Sequence, residues 1–436
     1  MKKPIFISIL SILINVLVLN AQEFSLISKV EVLDIVSKNN TSIKISEAEF
    51  NQAKADYIQT NAVFLPNITA SYTALSTTNP LMAFGSKLNQ AILTQADFNP
   101  MLLNNPNQVN NFGTKLEIQQ PLLNLDGIYQ RKAAKSKMDA MHFKTERTQD
   151  YLAFEVDNAY MQLQLAYKAV AVLEKALEAA NATKKLADNS FKQGYLQRAD
   201  VLNVEVRVTE VKNQLQTAKS NVQNAANYLS FLMNDTSYTT YKPSDSLTIL
   251  KTTLENKTIS KNRSDIKAME FATNAYEAMN KADKMAFLPR LNAFGSYELY
   301  DNKIFQADTN GYLIGAQLSW DIFQGSKRFG KTQKSKSELE KSKLEYEQYI
   351  NQTTLELNKA KRAFLDAENK LELTRLALEQ YKESLRIRTN RFKEGLEKTS
   401  DILEAETQFA QKQLEYYQTI FEYNYAQAYL QFLTKE

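Results

Sequence analysis

The eight residues Gly325–Thr332 have the residue types and spacing of a loop that binds nucleotide phosphates. Lys331 and Thr332 follow the second glycine, which fits the pattern G-x-x-x-x-G-K-T. However, the residues before this stretch alternate between polar and apolar, whereas the strand before a true phosphate loop is continuously apolar. The corresponding junction in the first half of the chain, Leu125–Ile128, lacks the motif. We therefore interpret Gly325–Thr332 as a junction between a strand and a helix, and an exported ATPase is only the third hypothesis for function.

Asp401 and Glu404 are a second pair of residues that could do chemistry. Their spacing of three places both carboxylates on one face of a helix. Carboxylates at the narrow end of a pore attract cations and repel anions. The same charges are also favourable near a helix N-terminus, where they interact with the helix dipole. The residues alone leave both interpretations open.

The composition excludes most other chemistry. The chain has no Cys, so it forms no disulfide, thiolate nucleophile, cysteine-ligated zinc site or iron–sulfur cluster. Its single histidine, His142, excludes a metal site built from two histidines and is interpreted as a structural residue. The net charge of +4 is not that of a nucleic-acid-binding protein. We expect no catalytic residues, no metal, no cofactor and no nucleic-acid partner.

The positions of Gly and Pro predict the helices that must carry these carboxylates. Only 18 of the 436 residues are Gly or Pro, and 14 of these lie within Pro66–Gly127 and Pro289–Gly330. Stretches without either residue, rich in Ala, Leu, Lys, Glu and Gln, cover 128–193, 195–242, 331–394 and 396–436. This composition favours helix. The two longest stretches would each extend about 95 Å at 1.5 Å per residue, so they need partners along their length.

The two windows rich in Gly and Pro have a different pattern. Apolar and polar residues alternate there with a period of two, which predicts strands at about 67–75, 113–122, 290–300 and 312–323. Aromatic residues near the ends of the apolar face, as at Tyr297, Tyr312 and Trp320, are typical of strands that cross a membrane. We interpret these three aromatics as membrane-interface residues that contact outer-membrane lipid. Soluble amphipathic hairpins are the alternative.

The N-terminus carries the pattern of a secretory signal peptide. Lys2 and Lys3 precede the apolar run Ile5–Leu19, and Ala21 supplies a small residue for cleavage. A retained membrane anchor is the alternative. No later segment is apolar enough for a transmembrane helix, so a membrane-embedded part of the mature chain would have to be a β-barrel.

The chain is internally duplicated. Phe64–Pro66 recurs 223 residues later as Phe287–Pro289, and Phe191–Gly194 recurs 201 residues later as Phe392–Gly395. The difference of 22 residues places a long loop, roughly 76–111, between the first two strands. We divide the chain into a signal peptide (1–21), a first repeat (22–234), a linker (235–260) and a second repeat (261–436). Four strands cannot close a membrane barrel, which has at least about eight, so closure requires several chains.

The order and duplication of these motifs resemble the TolC-like outer membrane efflux proteins, across essentially the whole mature chain. The resemblance rests on the two Phe-Leu-Pro sequences, the two Phe-Lys-x-Gly turns followed by Asp-x-Leu, and Gln120–Leu122 at the end of the second strand. It implies a mainly α fold with a membrane β-barrel portion and two tandem helix-strand-strand-helix-helix repeats. Four strands per chain would complete a twelve-stranded barrel and a long α-helical tunnel in a homotrimer.

The resemblance also implies the positions of functional residues. The family has an acidic periplasmic gate at positions that match Asp401 and Glu404, and a trimer would bring six such carboxylates together. The first repeat has Asp200 but carries Asn203 where the second has Glu404. The helical turns are the expected contacts for an adaptor protein, through Phe191, Gly194, Asp200, Phe392 and Gly395. Helix-to-helix packing is the alternative role for the two phenylalanines.

The function implied is that of an exit duct in the outer membrane of a Gram-negative bacterium, with a long periplasmic portion. Such a duct passively conducts substrates from an inner-membrane pump, of the RND, ABC or a similar type, through a periplasmic adaptor (membrane fusion) protein. It would serve tripartite efflux or type I secretion of drugs, metal ions or polypeptides. The alternative is a secreted structural coiled-coil or surface-adhesion protein without channel activity, which would not need four membrane-like strands.

Overall fold

The computed structural model describes residues 25–237, 239–250 and 258–435. The predicted signal peptide and part of the predicted linker lie outside these residues. The chain divides into two compact units. The helical unit contains the described residues of Met1–Glu47, Lys144–Asp265 and Tyr349–Glu436. The sheet unit contains Ala48–Phe143 and Ile266–Gln348.

Helices account for most of the described chain. In chain order they are α1 (Lys29–Asn39), α2 (Thr41–Gln59), α3 (Pro80–Asn89), α4 (Pro100–Asn104), α5 (Leu125–Lys192), α6 (Arg198–Met233), α7 (Ser264–Met285), α8 (Lys327–Lys393) and α9 (Thr399–Thr434), with short 3₁₀ helices at Thr60–Val63 and Gln95–Phe98. None of the described helices is both long and apolar enough to cross a membrane.

The two longest helices begin earlier than predicted. Helix α5 includes Gly127 and α8 includes Gly330, although the stretches without Gly or Pro predict helices that begin after each of these glycines. The side chain of Asn124 explains the first case, because its Oδ1 accepts a hydrogen bond from the Gly127 N–H at 3.2 Å and caps the helix. A glycine within such a first turn costs about 1 kcal/mol relative to alanine, which a long helix tolerates.

The predicted loop at 76–111 also contains helices. Asn79 and Asn99 each precede a proline, and their side chains accept hydrogen bonds from the backbone N–H groups of Met82 and Met101 at 3.2 and 2.9 Å. Asparagine is a preferred cap, and proline fits the first helical position. The Asn-Pro pairs interpreted as loop residues are therefore the starts of α3 and α4.

The sheet unit is built on four antiparallel strands. They are β2 (Asn67–Thr77), β3 (Val109–Leu123), β5 (Arg290–Asp301) and β6 (Thr309–Ser319), while β1 (Ser25–Ile27) and β4 (Tyr241–Pro243) form a separate parallel pair in the helical unit. The order across the sheet is β2-β3-β5-β6. Among the described residues, β2 and β6 therefore each pair on one side only, and the sheet has two open edges.

The two faces of this sheet differ in polarity, as the period of two predicts. In the register of β3 and β5, Lys115 lies opposite Glu298 and Leu116 lies opposite Tyr297. Lys115 Nζ is 2.9 Å from Glu117 Oε2 and 3.6 Å from Glu298 Oε1, so one face carries a charged cluster. The other face carries the leucine and tyrosine.

The fourth strand is shorter at its end than predicted. It was expected to include Trp320 and Ile322, but β6 ends at Ser319. Ser319 is paired with Arg290, the first residue of β5, so no partner residue remains for Trp320. Trp320 instead follows the strand, where its indole Nε1–H donates to the carbonyl of Phe287 at 2.9 Å.

A buried charge cluster joins α5, α7 and α8 in the helical unit. Arg263, only 2 % exposed, donates to both carboxylate oxygens of Asp265, at 2.6 and 2.9 Å. Arg147 Nε lies 3.3 Å from the same carboxylate. The Tyr349 hydroxyl donates to it at 2.6 Å. These residues bring α5, the start of α7 and α8 to a single carboxylate.

The same two arginines also cap the C-terminal end of α9. Arg263 Nη1 donates to the carbonyl of Leu433 at 2.9 Å, and Arg147 Nη1 donates to that of Phe432 at 3.3 Å. The Arg147 guanidinium also lies 3.7 Å from the centre of the Phe432 ring. The last carbonyls of a helix lack partners within the helix and carry partial negative charge, so buried cations are well placed there.

Two turns join the long helices and have the same backbone geometry. Gly194 and Gly395 have φ values of +78° and +73°. In the first turn the Gly194 N–H donates to the Phe191 carbonyl at 2.9 Å, and in the second the Gly395 N–H donates to the Phe392 carbonyl at 3.0 Å. Left-handed glycine at a helix end is the expected stop, and both glycines lie where the duplicated motif predicts.

Replacing Asp265 with Asn should lower the free energy of unfolding by about 3 kcal/mol or more, because Arg263 and Arg147 would stay buried without their counter-charge. The matched control is Asp34→Asn, which removes an exposed pair with Lys38 and should cost less than about 1 kcal/mol. Denaturant unfolding of the purified protein, followed by circular dichroism, measures both. Equal losses would show that the cluster has no special role.

The Asp265 cluster should also make stability depend on pH. Burial opposes ionisation of Asp265, but the hydrogen bonds from Arg263 and Tyr349 and the charge of Arg147 outweigh it and lower the pKa of this carboxyl. A lowered pKa contributes stability above the unfolded pKa of about 4, and that stability is lost as the pH falls through the folded value. Between neutral pH and about pH 2, the wild type should therefore lose more stability than Asp265→Asn. Parallel losses in unfolding experiments at each pH would contradict this.

Gly395→Ala should destabilise the helical unit by about 1 kcal/mol, because an L-residue pays this cost in the left-handed conformation. Gly330→Ala, inside α8, should instead stabilise by about 0.5–1 kcal/mol. A Cβ atom at either glycine meets nothing within 4 Å, so backbone conformation alone separates the two variants. Unfolding free energies that change with the same sign would refute this account of the turn.

Candidate functional site

The first turn joins α5 to α6 and uses its acidic residue as a helix cap. Asp200 Oδ2 accepts a hydrogen bond from the Gln197 N–H at 3.1 Å, at the start of α6. Phe191 is exposed on the last turn of α5. Asp200 therefore has a local structural role, beyond which it remains a predicted adaptor contact.

The second turn joins α8 to α9 and leaves its acidic pair differently engaged. Asp401 Oδ1 accepts from the Ser400 hydroxyl at 3.1 Å, and Glu404 accepts from the side chain of Gln408. Glu404 is exposed and Asp401 is half-buried, whereas Ile402 and Ala405 are buried. Glu404 thus faces away from the buried stripe of α9, and Asp401 lies at the margin of that stripe.

A pair of arginines braces the second turn. Arg388 Nη1 donates to Glu397 Oε1 at 2.8 Å, and Arg391 Nε donates to Glu397 Oε2 at 2.7 Å. The Glu397 side chain is only 11 % exposed. Sequence reasoning missed this brace, although arginines six and nine residues before a glutamate across a glycine turn were a visible signal.

The first turn cannot form the same brace. The residues 201 positions earlier are Ala187, Ser190 and Leu196, which carry no charge. The two turns therefore share a backbone but differ in electrostatics.

Two exposed apolar residues at these turns were also missed. Tyr195 and Leu396, which directly follow the two glycines, are 79 % and 67 % exposed. A lone exposed apolar residue is ordinary, but both repeats place one at the same position of the turn. The signal was present in the alignment of the two repeats, where an apolar residue follows glycine each time.

The predicted interface aromatics lie in the sheet unit. Tyr297 of β5 and Tyr312 of β6 are direct cross-strand partners, so they share the apolar face. Both are exposed, as is Trp320. Each ring thus has an exposed apolar surface, and the Trp320 indole N–H is satisfied by the backbone.

The stretch that matches a phosphate-binding motif does not form such a loop. Helix α8 starts at Lys327, so Lys331 and Thr332 lie inside the helix. Lys331 Nζ is 2.8 Å from Asp283 Oδ1, a carboxylate that is 4 % exposed, and the Thr332 hydroxyl donates to the Arg328 carbonyl at 3.0 Å. The lysine that would hold a nucleotide thus joins α8 to α7, and the hydroxyl is bonded within α8.

His142 is placed among aromatic rings, with centroid distances of 5.5 Å to Phe50 and 5.4 Å to Phe143. Among the residues that the structure describes, no group of three or more His, Asp or Glu side chains is arranged to hold a metal ion.

Comparison with solved structures shows a shared fold. The chain is similar to the CmeC outer membrane channel of Campylobacter jejuni, with 18% identity, 93% of this chain and 85% of that chain covered, and a TM-score of 0.79. It is also similar to the outer membrane protein VceC of Vibrio cholerae, with 16% identity, coverage of 93% and 95%, and a TM-score of 0.80. For the open MtrE outer membrane channel of Neisseria gonorrhoeae the identity is 17%, the coverage 93% and 88%, and the TM-score 0.76.

Comparison of the sequence gives the family. A search of curated proteins finds no significant match. A family model described as outer membrane efflux protein matches residues 32–235 and 257–434, which is more than half of the chain. The predicted TolC-like, mainly helical fold class and the resemblance to this family are therefore confirmed: the chain belongs to the outer membrane efflux protein family.

Proposed function

We propose that this protein is the outer-membrane exit duct of a tripartite efflux or type I secretion system. It passively conducts substrates that an inner-membrane pump delivers through a periplasmic adaptor protein. The observation that carries this proposal is the open four-stranded sheet, with one charged and one apolar face. The family membership supports it and gives no support to a secreted coiled-coil or adhesion protein.

The open edges support assembly as a homotrimer. Strands β2 and β6 each pair on one side only, and unpaired backbone groups are very costly in a lipid environment. Four strands are too few to close a membrane barrel. Pairing of β2 with β6 of a neighbouring copy would satisfy both edges at once. The apolar face with Tyr297 and Tyr312 would then meet outer-membrane lipid.

The two helical turns support contact with an adaptor. Each turn lies at the C-terminal end of a long helix, and the N-terminal end of the same helix follows a strand in the chain. Tyr195 and Leu396 offer exposed apolar side chains there, beside the predicted contacts Phe191, Gly194, Asp200, Phe392 and Gly395. In this proposal the turns face the periplasmic partner.

The acidic pair on α9 supports a gate with cation preference. Glu404 is exposed and Asp401 is half-buried at the edge of the same helix face, so a three-fold arrangement can place six carboxylates around the duct. Carboxylate rings favour cations over anions. The duct needs no catalytic residues, because the pump supplies the energy.

The purified protein in planar lipid bilayers should produce stable conductance, and it should fractionate with outer membranes. Replacing Asp401 with Asn and Glu404 with Gln together should weaken cation selectivity or block by cations, because the ring loses its charge. Reversal potentials in asymmetric KCl measure the selectivity.

The control is the double variant Glu338→Gln and Glu345→Gln, which neutralises two α8 carboxylates paired with Lys334 and Lys341. It should leave selectivity unchanged. A soluble protein without conductance would refute the channel itself. Conductance with unchanged selectivity in the gate variant would show that Asp401 and Glu404 do not line the duct.

A further inference from the structure

Three long helices meet at a buried polar cluster close to the two turns. Glu406 of α9 accepts a hydrogen bond from the Thr183 hydroxyl of α5 at 2.7 Å, through Oε1. Its second oxygen, Oε2, is buried and has no hydrogen-bond partner. Arg207 of α6 is buried as well, and its Nε also has none. Buried polar atoms are nearly always paired, so this cluster contains an unusual cost.

Among the described charged groups, Arg207 of α6 is the one that acts on the Glu406 carboxylate. Arg207 Nη1 also lies 3.6 Å from Glu210 Oε2. On α5, Lys184 follows Thr183 but pairs with Asp188 and with Glu205 of α6.

The charged groups of α8 and α9 near this level are engaged elsewhere. Lys412 Nζ of α9 lies 5.9 Å from the centre of the Tyr381 ring of α8. The arginines of α8 beside the second turn, Arg388 and Arg391, bind Glu397. Glu404, two residues before Glu406, accepts from Gln408.

Burial dominates the titration of Glu406. It raises the pKa of this carboxyl, even though the Thr183 hydrogen bond and the Arg207 charge both act to lower it. The packed arrangement therefore binds a proton more tightly than a separated one would. By linkage, packing around Glu406 is strongest below the ordinary glutamate pKa of about 4.3 and weakens as the pH rises from there through the raised value.

The first repeat has a glutamate at the position that matches Glu406, and its surroundings differ from those of Glu406. The residue 201 positions before Glu406 is Glu205, also a glutamate. Glu205 is partly exposed and is paired with Lys184 at 3.4 Å and with Arg198 at 3.9 Å. The same residue at the same place in the repeat thus has charged partners in one half, and in the other a buried carboxylate oxygen without a hydrogen-bond partner.

Glu406 and the predicted gate lie on different sides of one helix. At about 100° per residue, Glu406 points about 200° away from Glu404. Contacts that fix the buried side of α9 therefore also fix the direction in which Asp401 and Glu404 point.

We propose that Glu406 is a pH-sensitive lock between α9 and the α5–α6 pair. Protonated Glu406 holds α9 in the packed position, and the ionised carboxylate, with its unpartnered oxygen, loosens it and frees the side that carries Asp401 and Glu404. This inference rests on the proposed channel function for its meaning, but the lock itself is a property of the helical unit.

The test is hydrogen exchange of the amides in residues 399–410 of the full-length purified protein across a pH series, corrected for the intrinsic pH dependence of exchange. In the wild type, exchange should accelerate as the pH rises from the ordinary glutamate pKa of about 4.3 towards the raised pKa of Glu406, and then level off. Glu406→Gln, which mimics the protonated form, should stay slow and independent of pH. The matched control is Glu205→Gln, which should keep the wild-type response.

A second variant keeps the proposal testable if Glu406→Gln does not fold. Arg207→Gln removes the cation that favours the ionised form, so the transition should move to higher pH. At a pH within the wild-type transition, exchange in this variant should therefore be slower than in the wild type. A wild-type pH profile in both Glu406→Gln and Arg207→Gln would overturn the lock.

Bilayer conductance of the same proteins separates this lock from the channel. Conductance that rises with pH in the wild type, and stays low in Glu406→Gln, supports both. A pH-dependent exchange without any conductance supports the lock and refutes the channel. Conductance with exchange that is unchanged by pH in the wild type refutes the lock alone.

Discussion

The ionised carboxylate of Asp265 is the interaction on which the packing of the helical unit depends. It accepts from Arg263 and Tyr349 and faces Arg147, and the two arginines in turn hold the last carbonyls of α9. Arg147 comes from the first repeat, and the other residues come from the second. Because buried charges are tolerated only when paired, neither repeat can satisfy this cluster alone. The duplication is thus joined by a contact that requires both halves.

The two repeats share a backbone but have diverged in charge. Both turns stop a helix with a left-handed glycine, and both expose an apolar residue after it. Among the described residues, only the second has a largely buried glutamate, Glu397, between two arginines, and only the second has a glutamate, Glu406, with a buried oxygen that lacks a hydrogen-bond partner. In the first repeat the acidic residue Asp200 caps a helix.

The regular parts of the fold could be predicted because they repeat along the chain. Helices without glycine or proline and strands with a period of two are local patterns, and Gly194 and Gly395 marked the turns directly. The misplacements have equally physical reasons. Asn79 and Asn99 each cap a helix that begins at the following proline, and the positions of Gly and Pro alone do not show this. Trp320 lies outside β6 because its partner strand starts at Arg290.

The contacts of the candidate site could be predicted less well, because they depend on which residues meet in space. The role of Asp401 and Glu404 as a gate stays a prediction. The brace at Glu397 joins residues across a turn, and the cluster at Glu406 joins α9 to α5 and α6, which are distant from it in sequence. Glu205 and Glu406 are indistinguishable in the repeat alignment, and only their contacts in space separate them.

The two open edges of the sheet also have a consequence for how this chain reaches its final state. A single copy with unpaired β2 and β6 presents strand edges that other chains can add to, which is a known route to aggregation. If copies complete one another through these edges, folding and association become one process. Apparent stability would then depend on protein concentration by mass action. The isolated subunit would be a short-lived intermediate, and dilution would act as a denaturant.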